Sequence, residues 1–345
     1  MTVRYIQKDN AAIITLCRAK YLNTLTFEMI NKIHKHLKAI SKNNNIHMVI
    51  FKGEGDRAFC AGGDVKSFYE ERSTNKNQLR KNFFYKEYKL NYIIKKYKKP
   101  IISFVNGICM GGGVGIAMHS NITVVSEKVT FAMPETAIGL FPDVGSGKIL
   151  SKLENNIGNY IGLTGKRLGS ADLINLKLAN YCIKYENFEQ VVASLIKVKT
   201  KRSIINILEK YSLKTKSLLF PILNKKIFKI FKHNDIEDII KSLENNNEKW
   251  SQEALISLKK MSPTSLKITL KQIKYAKNLS FKNNLIMEYR LSQACMGGFD
   301  FYEGVRALLI DKDFKPNWSP SKIEDISDNI VLSHFKSLGK NDLKI

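Results

Sequence analysis

Ile101-Ile-Ser-Phe-Val105, Met110-Gly-Gly-Gly-Val-Gly115 and Ile122-Thr-Val-Val125 follow one another along the chain. The outer two runs are short and β-branched, as buried strands are, and the glycine run opens a helix reaching about Met118. Strand, helix and strand in that order require a crossover, which makes the strands parallel. The class is therefore α/β. Ile101 to Met118 carries no charge, so a membrane span is the competing reading. Five glycines, Ser103 and Asn106 within it fit a buried strand, loop and helix instead.

Working outward, Val3 to Gln7 and Ala12 to Leu16 read as strands joined by a turn at Asp9 and Asn10. Thr26 can cap a helix whose apolar residues Ile30, Ile33, Leu37 and Ile40 line one face. Met48 to Phe51 is a further buried strand. A helix from Asn77 to Tyr97 ends before Pro100, since proline disfavours helix in the residue preceding it. From about Glu186 strand signals fade, and amphipathic helical patterns run to residue 312. We expect a principal domain over 1–200 and a mainly helical region over 201–345 packed on it, because single cores grow poorly beyond ~250–300 residues.

The 345 residues include 56 Lys and Arg against 31 Asp and Glu, a net charge of +25. The lysines are spread along the chain without a nucleic-acid-binding motif, so no nucleic-acid partner is expected. Positive potential would still attract a ligand carrying several phosphates. The cysteines at 17, 60, 109, 182 and 295 form no CxxC pair, and the histidines form no HExxH. Neither a disulfide framework nor a metal site is signalled. Phosphate-loop, dinucleotide-fingerprint and nucleophile-elbow patterns do not occur.

Three segments read as more than packing: Phe59-Cys-Ala-Gly-Gly-Asp64, the glycine run at 110–115, and Met133-Pro-Glu-Thr-Ala-Ile-Gly-Leu-Phe-Pro-Asp143. Glycine turns let a backbone approach a ligand, and a glycine run at a helix start leaves N–H groups facing outward. A developing oxyanion needs such donors. These segments resemble the crotonase, or enoyl-CoA hydratase/isomerase, superfamily. The likeness extends through Phe83-Phe84, Glu87-Tyr88 and Leu90-Asn91 to Met261–Leu270, Met287–Gln293, Glu303–Ala307 and Asp311–Asp313, runs that point to its acyl-CoA hydrolase branch.

The resemblance implies a crotonase-like spiral of ββα units with a helical C-terminal region. It implies an acyl-CoA substrate, with coenzyme A as part of that substrate and no separate cofactor or metal. Gly63 and Gly112 match the two oxyanion-hole N–H donors, Glu135 matches the catalytic glutamate, and Asp143 matches a second acidic position that holds the substrate hydroxyl. Glu87 matches a third substrate-pocket carboxylate, alongside Gly112, Glu135 and Asp143 as substrate-binding positions. Lys20 and the backbone around Ala61 and Gly62 are weaker candidates for holding the coenzyme A nucleotide end, by position in the implied fold rather than by motif.

Hydratases of the superfamily carry a second glutamate two residues after the glycine run. Here that position is Gly115. Hydration then loses half its acid–base pair, whereas thioester hydrolysis needs an oxyanion hole and one nucleophile or base. The resemblance thus implies cleavage of (S)-3-hydroxyisobutyryl-CoA, with 3-hydroxypropionyl-CoA as a second substrate. Strand-like sequence close behind Met1 favours a bacterial-type cytoplasmic location, with the mitochondrial matrix as alternative. No membrane partner is expected, and a homo-oligomer is left open.

Overall fold

The computed structural model describes residues 1–72, 78–216 and 219–345. Asn77, the expected first residue of the third helix, lies outside them; that helix runs Gln78–Lys96. The described residues gather into two compact units that interleave along the chain rather than meeting at one cut near 200. The first comprises Met1–Gly63, Lys89–Phe131 and Arg167–Phe220, the second Asp64–Tyr88, Ala132–Lys166 and Pro221–Ile345.

The first unit is built on a sheet ordered β1-β2-β3-β5-β7-β9. Its strands are β1 (Val3–Lys8), β2 (Ala11–Leu16), β3 (Met48–Gly53), β5 (Ile101–Val105), β7 (Ile122–Val125) and β9 (Tyr181–Cys182). The opening hairpin is antiparallel and every later pairing is parallel. Three short strands, β4 (Ala58–Cys60), β6 (Ile108–Met110) and β8 (Thr130–Ala132), form a second sheet. Each follows a strand of the large sheet and precedes a helical segment, so the chain repeats a ββα turn. That is the expected spiral. The short strands were not legible beforehand, because three residues are too few to show alternation.

Thr26 caps the helix Phe27–Ser41, its Oγ1 accepting from the Met29 N–H at 3.2 Å, and Met29, Ile30, Ile33, Leu37 and Ile40 form its buried face. On the core, Met48, Ile50, Ile102, Phe104 and Val124 of the sheet pack with Phe188, Val192, Leu195, Ile204 and Leu208 of later helices. Ile101 to Met118 is two strands and the short helix Gly112–Ala117, buried within this unit. Among the described residues no helix is long and apolar enough to cross a membrane.

The second unit is helical, with Ile157–Thr164, Ile236–Glu244, Lys249–Leu258, Pro263–Ala276 and Phe281–Cys295 among its members. Ser262 and Ser280 cap the last two, each accepting an N–H at 3.1 Å on its hydroxyl.

Candidate active site

The two glycine turns lie in the first unit. The Gly62 carbonyl accepts from the Leu25 N–H at 2.8 Å, and Leu25 and Gly63 form a parallel bridge. In a trans peptide the carbonyl and the following N–H point oppositely, so the Gly63 N–H faces away from Leu25. The Gly111 carbonyl accepts from the Val114 and Gly115 N–H groups at 2.8 and 3.2 Å. By the same argument the Gly112 N–H points out of the helix start. Among the described residues neither N–H is paired to backbone elsewhere.

Glycine is required here by geometry. Gly62 has φ +113 and Gly111 φ +47, which side chains rarely adopt. A Cβ on Gly113 would stand 2.3 Å from the Cys60 carbonyl oxygen, and one on Gly62 would meet Met110 O at 3.7 Å. The turns carrying Gly63 and Gly112 therefore abut. The Ala61 N–H and Gly62 carbonyl, part of the weaker coenzyme A match, are already bonded to Leu22 and Leu25. Lys20 is exposed, and Gly115 is buried in the helix.

The carboxylates lie in the second unit, and it brings Glu87, Glu135 and Asp143 together. Glu87, Glu135 and Asp143 are 2%, 6% and 4% exposed. Glu135 opens the 3₁₀ turn Glu135–Ile138 after Pro134, and Gly139 ends it at φ +67. A Cβ on Gly139 would lie 2.3 Å from the Asp300 backbone, so the helix Asp300–Val305 backs this turn. The Ser262 N–H also donates to the Thr136 carbonyl at 3.0 Å. The Glu135 carboxyl is thus presented on a braced turn, with Oε2 buried and unpartnered among the described residues.

Burial pushes the Glu135 carboxyl well above the ordinary carboxylate range, and the Asp143 charge adds to it. Glu87 is pushed well up in the same way, by burial and then by Asp143 and Glu135, and its Oε1 is unpartnered. Burial raises Asp143 to about 7, against the pull of a 2.8 Å bond from the Tyr88 hydroxyl. Mutually repelling carboxyls with separated environments can divide proton-holding and nucleophilic roles. Phe68, Phe83, Phe84, Tyr88 and Phe301 form an aromatic cluster in the same unit, Phe68 and Phe84 stacked and the other pairs edge-on or tilted, and Tyr88 joins it to Asp143.

Three polar residues here had no role in the sequence reading. Tyr88 is the hydroxyl partner of Asp143. Asn91, 1% exposed on the same helix as Glu87, has neither amide atom partnered among the described residues. Glu288 is fully buried on the helix Phe281–Cys295 and takes N–H groups from the loop after Asp143. The available signal was positional: Leu285, Glu288, Leu291, Ser292 and Cys295 share the buried stripe, and an acid on such a stripe calls for partners. Among the described residues no three His, Cys, Asp or Glu side chains converge as a metal site. None of the five cysteines forms a disulfide, and four of them are buried.

The chain matches the family described as enoyl-CoA hydratase/isomerase over residues 11–335. It is 43% identical to "3-hydroxyisobutyryl-CoA hydrolase, mitochondrial" of Bos taurus, over 98% of this chain and 89% of that protein. The Homo sapiens protein of the same name is 41% identical over 98% and 89% of the two chains. Among solved structures, a carnitinyl-CoA dehydratase from Mycobacterium thermoresistibile matches with TM-score 0.94 and 29% identity, over 99% of this chain and 98% of that one. An enoyl-CoA hydratase from Rhodobacter sphaeroides 2.4.1 matches with TM-score 0.92 and 31% identity, over 100% of both. With the spiral fold shared across the whole length and the family match spanning nearly all of it, the chain belongs to the enoyl-CoA hydratase/isomerase family.

Proposed function

We propose that this protein hydrolyses the thioester of (S)-3-hydroxyisobutyryl-CoA, releasing coenzyme A and 3-hydroxy-2-methylpropanoate, a step of valine breakdown; 3-hydroxypropionyl-CoA is a second substrate. The observation that carries the reading is a buried Glu135 carboxyl whose Oε2 has no partner among the described residues, in a chain with glycine at position 115. The names of the curated relatives support it. Coenzyme A arrives as part of the substrate, and no other cofactor is required.

The roles follow residue by residue. The ionised Glu135 carboxylate attacks the thioester carbonyl carbon, and the Gly63 and Gly112 N–H groups receive the resulting oxyanion. Backbone donors of this kind contribute on the order of 3 kcal/mol each. Collapse breaks the carbon–sulfur bond, expels the coenzyme A thiolate and leaves a mixed anhydride on Glu135. Water then cleaves the anhydride, releases the acid and regenerates the carboxylate. Asp143 holds the substrate hydroxyl, with Tyr88 fixing its orientation, and Glu87 completes the acyl pocket. Glu135 could instead act as base toward a water that attacks directly. Solvent ¹⁸O entering the Glu135 carboxylate in a single turnover, or an acylated Glu135 trapped during turnover, marks the anhydride course.

Free thiol release from 3-hydroxyisobutyryl-CoA is the direct assay, with Glu135→Ala as control. An inactive wild-type protein, or a fully active variant, removes the reading. The titles of the two solved structures favour a second one, addition or removal of water at an acyl-CoA double bond. It predicts absorbance loss from an enoyl-CoA without thiol release. Gly115 argues against it, since no carboxylate stands there to pair with Glu135. The mitochondrial names of the relatives favour the mitochondrial matrix over the bacterial-type cytoplasm as compartment, which fractionation of the source cells tests.

A further inference from the structure

The loop that carries Asp143 has an unusual backbone and an unusual anchor. Val144 lies at φ +53 and Gly145 at φ +88, so a β-branched residue sits in the left-handed region directly after Asp143. Such a conformation persists only where surrounding groups over-determine it. The Ser146 N–H closes the turn on the Asp143 carbonyl at 2.9 Å, and the short helix Ser146–Leu150 begins at once.

The over-determination comes from Glu288, 143 residues further along the chain. Its Oε2 accepts the Gly145 N–H at 2.6 Å, and its Oε1 accepts the Gly147 N–H at 3.0 Å. Asn284 Nδ2 donates to the same Oε1 at 2.8 Å and Gln272 Nε2 at 3.1 Å. Gln272 also donates to the Pro142 carbonyl at 2.7 Å, so the loop is gripped on both sides of Asp143. A Cβ on Gly147 would lie within 3.0 Å of all three of these side chains, which leaves no slack. Four donors converge on one buried carboxyl, two of them backbone N–H groups at the start of the short helix.

We propose that Glu288 is a positioning residue for substrate selection: by clamping Gly145 and Gly147 it fixes the direction of the Asp143 carboxylate, and with it the discrimination for a 3-hydroxyl on the acyl group. Glu288 touches no reacting atom in this scheme. It acts through the backbone of residues 143–147, while Tyr88 holds the Asp143 carboxylate itself. Burial raises the Glu288 carboxyl to about 8, the N–H donors pull it down, and the Asp143 charge pushes it up again, so the two acids sense each other electrostatically as well as through the loop.

The inference rests on the proposed role of Asp143, and its test separates the two. Glu288→Gln keeps the size and one acceptor oxygen and replaces the other acceptor by an N–H₂. Rates of thiol release are compared for 3-hydroxyisobutyryl-CoA and isobutyryl-CoA, which lacks the hydroxyl. The ratio of kcat/KM between them should fall at least tenfold in Glu288→Gln, toward that of Asp143→Asn, with the isobutyryl-CoA rate within threefold of wild type. Amide hydrogen exchange at Gly145 and Gly147 needs no turnover and should accelerate at least tenfold. An unchanged ratio, or a proportional loss on both substrates, overturns the proposal. So does unchanged exchange accompanying a lost ratio. If Glu288→Gln does not fold, Asn284→Ala keeps the carboxylate and removes one donor, and a smaller fall in the same ratio is required. If wild-type protein has no preference for the hydroxyl, the reading of Asp143 fails, while loop exchange still reports on the clamp.

Discussion

The glycine turns of the first unit and the acid pocket of the second are built on opposite principles. At the turns, the proposed function rests on main-chain N–H groups whose directions follow from the bonds made by the adjoining carbonyls of Gly62 and Gly111. Side-chain deletion cannot remove them; only an added atom can. In the pocket, the proposed function rests on carboxyl groups that burial makes costly, two of them with an oxygen left unpartnered among the described residues. There, removal of a side chain destroys chemistry while relieving the fold. One region should lose activity and stability together, and the other should trade them.

Glu135→Ala gives the largest effect and the cleanest contrast. Loss of the nucleophile should lower thiol release by about a thousandfold or more, as loss of an acting catalytic group does. The melting temperature should hold or rise, because a buried carboxyl with one oxygen lacking a partner among the described residues has gone. Gly113→Ala is the counterpart. Its Cβ would meet the Cys60 carbonyl at 2.3 Å and the Cys60 Cβ at 2.8 Å, so the helix start or β4 must move. Overpacking of this kind costs ~1–3 kcal/mol. A displaced donor should lower kcat by about a hundredfold, as misplacements near 1 Å do. Parallel thermal melts and kinetics on the two variants decide the matter: equal destabilisation in both would erase the distinction between the regions.

Asp143→Asn acts next, within the pocket. Glu135 must be ionised to attack or to serve as base, so the rate rises with pH through its raised pKa. Burial is the larger cause of that rise and the Asp143 charge the smaller. Removing the charge should move the acid limb of the kcat profile to lower pH without abolishing it. kcat/KM on the hydroxylated substrate should also fall roughly ten- to a hundredfold, the value of a hydrogen bond to a charged group. An acid limb that stays in place would show that a group other than Glu135 titrates there.

The contrast also explains what was legible in the sequence. Glycine turns are written locally, since Gly62 and Gly111 need backbone conformations that few other residues adopt. Glu135 stood out as an acid in a Pro-Glu turn that Gly139 closes, and its catalytic role came from the family resemblance of the run 133–143. The opening hairpin and the Thr26-capped helix came from period and capping alone. Glu288 was hidden because its partners, Gly145 and Gly147, lie more than 140 residues away and contribute only backbone. Local pattern cannot register a bond of that reach. The interleaving of the two units was hidden for the same reason: the 78–96 helix passes from one to the other at Tyr88 without any change in its own periodicity.

The smallest expected effect tests whether the pocket stores strain at all. Glu87 is buried, with its pKa raised well above the value near 4.5 that it has in an unfolded chain. A raised folded pKa means that the native state binds the proton more tightly. The associated stability is therefore fully present below about pH 4.5 and is lost as pH rises through the folded value. Glu87→Gln cannot ionise and should lose that dependence. Its melting temperature relative to wild type should increase from pH 5 to pH 9, by about 2 °C for each kcal/mol involved in a protein of this size. Thermal melts across that range are sufficient. A constant difference would mean that Glu87 keeps one protonation state in both folded and unfolded chains, and that the acid pocket is held together by partners other than its own buried protons.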